Sequence, residues 1–82
     1  MIHSIKLEQP AGLKFRFAGS FSCDLTPISK PELPPRGGWV FTLPEHVLIT
    51  PDWRVRINGK ACQVLGVQSD PTGKIVRVRI PE

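Results

Sequence analysis

Residues 52–80 read DWRVRINGKACQVLGVQSDPTGKIVRVRI, and this stretch decides the fold. Trp53, Val55 and Ile57 alternate with Arg54 and Arg56, the period-2 pattern of a strand with one buried face. Asn58-Gly59 follows, the dipeptide that best supplies φ > 0 at both central positions of a type I′ hairpin turn. Lys60–Gln68 reads as the second strand. Asp70-Pro71-Thr72-Gly73 is a second turn, in which Pro presets φ and Gly tolerates φ > 0. Lys74–Ile80 returns with Val76, Val78 and Ile80 on one face and Arg77 and Arg79 on the other, and Pro81 ends it.

Turn lengths fix the pairing on paper. A two-residue Asn58-Gly59 loop pairs Ile57 with Lys60, Val55 with Cys62 and Trp53 with Val64. A four-residue Asp70–Gly73 loop pairs Ser69 with Lys74, Val67 with Val76 and Leu65 with Val78. Residues that face each other share a side of the sheet. The first hairpin thus puts Cys62 and Val64 inside, the second Leu65 and Val67, and these sets are out of phase by one. A β-bulge near Leu65-Gly66 resolves the conflict and bends the strand. A bent middle strand is what a small barrel needs at a corner. The expectation is an all-β fold: a small curled antiparallel sheet or an SH3-like, partly open barrel with a long Pro-rich loop.

Working outward, the 82 residues make one domain, 1–82. So short a chain buries a limited core and gains from neighbours. Met1–Gln9 reads as a first strand anchored by Ile5 and Leu7, and Pro10-Ala11-Gly12 as a turn. In Leu13–Ala18, Leu13, Phe15 and Phe17 alternate with Lys14 and Arg16, which predicts a strand with the three apolar residues on the core face. Gly19-Ser20 is read as its break, and Phe21–Leu25 as a short further strand or a loop edge. Trp39–Leu43 predicts a strand with Trp39, Phe41 and Leu43 on one face. Val47-Leu48-Ile49 reads as a strand or a helical turn.

Residues 27–38 lie within TPISKPELPPRGG, where Pro27, Pro31, Pro34 and Pro35 remove backbone donors and restrict the residues before them. An extended, partly polyproline loop or arm is expected. Its interface candidates are Ile28, Lys30, Glu32, Leu33 and Arg36, with Ile28 and Leu33 as apolar anchors. It is either a flexible surface loop or an arm that docks on a neighbouring subunit.

The net charge is +4, unevenly spread. Between Trp53 and Ile80 six basic residues face one acid, Asp70, whereas Met1–Asp52 holds five of each. Alternation places Arg54, Arg56, Arg77 and Arg79 on the non-core side of two strands that flank the same middle strand. Such a stripe can contact phosphates, meet acidic residues of a partner, or form a solvated outer face that blocks edge pairing. Against nucleic-acid binding, Phe15, Phe17, Trp39, Phe41 and Trp53 all fall on predicted core faces, which leaves no stacking platform.

Catalysis has no support in the sequence. Neither His3 nor His46 is close in sequence to a plausible nucleophile, and the acids are scattered. There is no phosphate-binding glycine loop, HExxH or calcium loop. His3, Cys23, His46 and Cys62 contain no chelating pair, so no metal or other cofactor is expected. Two reduced, buried thiols in an intracellular protein are expected in preference to a disulfide. Met1–Pro10 holds no long apolar run and no stretch reaches transmembrane length, so neither a signal peptide nor a membrane partner is expected.

The cadence Asp52-Trp53-Arg54-Val55-Arg56-Ile57-Asn58-Gly59-Lys60, then Val64-Leu65-Gly66-Val67, then Asp70-Pro71-Thr72-Gly73 with Val76-Arg77-Val78, resembles the C-terminal half of head–tail connector proteins of long-tailed bacteriophages, the stopper or head–tail joining type. The resemblance covers the last third of the chain. It implies a non-enzymatic subunit of a homo-oligomeric ring in the virion neck, assembled in the host cytoplasm. That ring would sit between the portal or adaptor protein and the tail proteins, with contact to packaged DNA. The Pro-rich segment would correspond to the long loop such proteins project. The second expectation is an SH3-like or OB-like nucleic-acid-binding module that uses the arginine stripe; the third is a generic adaptor or decoration domain.

Overall fold

A computed structural model of the chain describes residues 2–81. Seven strands follow one another: β1 (Ile2–Ala11), β2 (Lys14–Asp24), β3 (Thr26–Ile28), β4 (Gly38–Leu43), β5 (Arg54–Ile57), β6 (Lys60–Asp70) and β7 (Gly73–Arg79). They form one antiparallel sheet in the order β2-β1-β5-β6-β7-β4-β3. The fold is all-β, with no helix among the described residues. The sheet curls without closing, since β2 and β3 are its edges and do not pair. His3 on β1 nonetheless reaches Trp39 on β4, with ring centroids 6.1 Å apart. The curl encloses a core of Ile5, Leu7, Phe41, Leu43, Val55, Ile57, Cys62, Val64, Val76 and Val78, joined by Val47 and Ile49 from the β4–β5 connection.

The decisive stretch folds as its turns require. Asn58 and Gly59 both have positive φ, at 52° and 87°. Ile57 faces Lys60 and Val55 faces Cys62. Asp70 accepts hydrogen bonds from the Thr72 amide (2.9 Å) and hydroxyl (2.5 Å), an Asx-type turn that closes on the Asp70–Gly73 pair. Ser69 faces Lys74, Val67 faces Val76, and the register shifts between Val64 and Gly66. The bulge therefore lies where the phase conflict demanded. It leaves Leu65 as the extra residue, so Val64, not Leu65, opposes Val78. Trp53 lies just outside β5 and packs half-buried against the core instead of facing Val64 in a ladder.

The N-terminal half departs further from expectation. β1 runs through Pro10 to Ala11, and the turn is Gly12-Leu13. Met1 lies outside the described residues. Gly19-Ser20 does not break the second strand: β2 continues to Asp24 as one long partner of β1. A second bulge sits there instead. Leu7 pairs with Gly19 and Glu8 with Phe17, so Ala18 is the extra residue. One extra residue reverses which face every following side chain takes. Phe21 and Cys23 face the core with Ile5 and His3, while Phe15 and Phe17 turn to the outer face. Leu13, Phe15 and Phe17 are 105 %, 41 % and 61 % exposed, not core residues.

The Pro-rich segment also departs. Thr26–Ile28 pairs with β4 as a short edge strand, a place where Pro27 is tolerated because one side of the strand needs no donor. The rest turns back on the sheet instead of extending. The Glu32 and Leu33 amides both donate to the Ser29 carbonyl, at 3.1 and 3.0 Å. The Ile80 amide donates to the Gly37 carbonyl at 3.0 Å, and Arg79 donates to the Pro34 carbonyl. Pro34-Pro35 is a cis peptide. Val47-Leu48-Ile49 is neither strand nor helix; Lys74 Nζ donates to the Val47 carbonyl and fixes this connection, leaving Leu48 exposed.

Candidate functional site

The outer face of the sheet is built by register. Phe17 faces Glu8, Glu8 faces Arg54, Arg54 faces Gln63 and Gln63 faces Arg79. One row thus crosses five strands, and directly opposed residues lie close enough to interact. The neighbouring row runs from Ser20 through Lys6 and Arg56 to Ala61. Phe15 and Arg77 lie two residues from Phe17 and Arg79 and share their face.

The four arginines are not equivalent. Arg54 Nε and Arg56 Nε both bind Glu8 Oε1, at 2.6 and 2.9 Å. Arg56 also donates to the Gly59 carbonyl at 3.3 Å. The Arg54 guanidinium carbon stands 4.4 Å from the centroid of the Phe15 ring, a cation–π contact. Arg79 is half-buried and tied to the Pro-rich loop, whereas Arg77 is exposed. Hydrogen bonds from Arg54, and then from Arg56, hold the Glu8 carboxyl below its ordinary pKa despite the opposing effect of partial burial. Glu8 neutralises part of the stripe, and Lys6, Arg77 and Arg79 leave the face basic.

The loop candidates also divide. Ile28 is buried under the loop and serves as an anchor, not as a surface contact. Leu33 is half-buried against Gly38, where a Cβ would stand 2.6 Å from Leu33 Cδ2. Lys30, Glu32 and Arg36 are exposed. The structure brings Arg54 and Arg56 together, links Arg79 to the loop through Pro34, and leaves Lys30, Glu32 and Arg36 off the arginine row.

Cys62 is buried and Cys23 half-buried, both free thiols, and burial raises the pKa of each above that of a free thiol. Cys62 lies on the core face, where the alternation put it. His3 lies beside Trp39, while His46 is exposed in the β4–β5 connection. Among the described residues no three His, Cys, Asp or Glu side chains are grouped to hold a metal ion, and no helix is long and apolar enough to cross a membrane.

Three residues escaped sequence reasoning: Phe15 and Phe17 as surface aromatics, and Glu8 as the shared counter-ion. The available signal was Ala18-Gly19. A glycine inside a strand pattern marks a bulge as readily as a break. No family model matches this chain, and no curated protein or solved structure does either.

Proposed function

We propose that the chain is a non-enzymatic structural subunit of a phage virion neck, forming a ring between the portal or adaptor protein and the tail. The reading rests on the connector-like cadence of residues 52–78. The observation that carries it is the distal β1–β2 hairpin. Residues 10–18 are all exposed, and β5 covers β1 only from Ile5 to Glu8. Beyond that point the hairpin is an arm with Leu13 at its turn and a free edge along β2. A free strand edge is a template for pairing with another chain. Contacts between two different surfaces on neighbouring copies close into a ring when the rotation permits.

The test is the mass of the purified chain by light scattering after size exclusion, over a concentration series at two salt concentrations. The ring reading expects a multi-chain species that grows with concentration and is lost in Leu13→Asp. A chain that stays monomeric throughout the series overturns it.

A further inference from the structure

We infer that the outer face of the sheet is a binding site for single-stranded nucleic acid, with Phe15 and Phe17 as base-stacking rings beside a basic track. The inference goes beyond the ring reading, because a single chain presents the whole face.

Alternation over Leu13–Ala18 taken alone puts Phe15 and Phe17 on the core face, which leaves such a site without its aromatic half. The bulge at Ala18 restores it. Phe15 and Phe17 stand on the exposed side of an antiparallel sheet, 41 % and 61 % exposed. Exposed phenyl rings on a sheet stack unpaired bases with little regard to sequence, because every base has a π-face. The Phe15 ring already carries the Arg54 guanidinium at 4.4 Å. That contact occupies one face of the ring and sets a positive charge beside the stacking position. Beside Phe15 lies a cleft whose apolar wall is Trp53, Ala61 and Val64 and whose polar lining is Asp52, Arg54 and Gln63.

Charge complementarity selects the occupant. From the aromatic end, Lys6, Arg56, Arg77 and Arg79 continue across the same face, with Lys14 and Arg16 exposed on the reverse of the arm. The acid within the rows is Glu8, already bound by two arginines. A phosphodiester strand supplies both negative charge and stacking surfaces. A duplex offers the charge but hides its bases. An acidic peptide would offer the charge without planar rings to stack.

Fluorescence anisotropy of labelled oligothymidylate, oligouridylate and a duplex of equal length, titrated with the full chain over a salt series, tests this. Single strands are expected to bind more tightly than the duplex, and the two single-stranded arms decide between DNA and RNA. Phe17→Ala is expected to weaken single-strand binding about tenfold or more. Arg77→Gln should reduce the slope of log Kd against log salt by about 0.7. Glu8→Gln should tighten binding, since it frees two arginines. It also guards against a Phe17→Ala loss that reflects misfolding, because it predicts a gain. Equal or tighter duplex binding, an unchanged affinity in Phe17→Ala, or no anisotropy change at low salt would each overturn the inference. A multi-chain species abolished by Phe17→Ala, with no oligonucleotide binding, would overturn it in favour of a second copy on this face.

Discussion

Two segments of this chain exchange the roles that their compositions imply. Residues 13–18 look like core strand, with three large apolar residues in strict alternation, yet all six are exposed. Residues 29–37 look like a projecting arm, yet they turn on the Ser29 carbonyl and are tied back to the sheet through Gly37 and the Arg79–Pro34 bond. The difference teaches what each kind of pattern encodes. Alternation fixes which residues share a face, but the bulge decides which face meets the core. Proline content confines a ladder to an edge, as at Pro27, but it does not keep a segment from folding onto the sheet. Buried Ile28 and the tight packing at Gly37 and Gly38 hold the loop down.

The sharpest way to break this contrast compares the β4 glycine on which the loop packs with the glycine in the turn of the arm. At Gly38 a Cβ would stand 2.2 Å from the Val78 carbonyl oxygen and 2.6 Å from Leu33 Cδ2. Backbone cannot yield cheaply there, so Gly38→Ala should cost about 3 kcal/mol and lower Tm by more than about 10 °C. Gly12, in the turn of the arm, has nothing within 4 Å, and its φ of +68° sets the only penalty. Gly12→Ala should cost no more than about 1–2 kcal/mol. Thermal melts of both variants check this. Equal losses would mean that the arm is as tightly held as the loop.

A second pair tests the apolar residues themselves. Ile28 is 7 % exposed, and Ile28→Ala should cost about 2 kcal/mol, the low end for a buried aliphatic truncation. Phe17→Ala should change stability by less than about 0.5 kcal/mol, although it removes a larger side chain. Urea unfolding gives both values. A large loss at Phe17 would return it to the core and remove the arm.

Much of the fold was legible where turns dictate register. Asn58-Gly59 and Asp70–Gly73 fix two hairpins, and the mismatch between their inward sets places the bulge beside Leu65. No comparable constraint existed for β2. Its turn at Gly12-Leu13 follows Pro10, which looked like a strand end, and Gly19 looked like a break. The arginines were legible as a common face, because alternation guarantees that much. Their partners were not, because Glu8 arrives from a strand 46 residues away in sequence from Arg54. Sequence spacing carries no trace of such a contact.

Thiol reactivity can sharpen where along β2 the arm ends and the core begins. Cys23 is half-buried and Cys62 buried, each with its pKa raised chiefly by burial. The thiolate is the reactive form, so both should alkylate more slowly than a free thiol near pH 8, Cys62 slowest. A cysteine introduced as Phe17→Cys should react at close to the free-thiol rate. Mass spectrometry of a timed alkylation resolves the three. A slow Phe17→Cys thiol would place the boundary nearer the tip.

The smallest effect concerns the joint between the arm and the arginine face. Glu8 lies where β1 leaves the cover of β5, and it holds Arg54 and Arg56 at once. Its pKa in the fold is lowered, so its contribution is fully present above the ordinary carboxylate value of about 4.5 and disappears as pH falls through the lowered folded value. Its side chain is 18 % exposed and its partners 34 %, so solvent screens the pair. Glu8→Gln should therefore lose less than about 1 kcal/mol at neutral pH. The gap from the wild type should close on acidification below the ordinary carboxylate range. Urea unfolding of both proteins over a pH series measures the gap directly. A gap that persists undiminished in acid would mean that Glu8 stabilises the joint by packing, and that the arginines are held by something other than its charge.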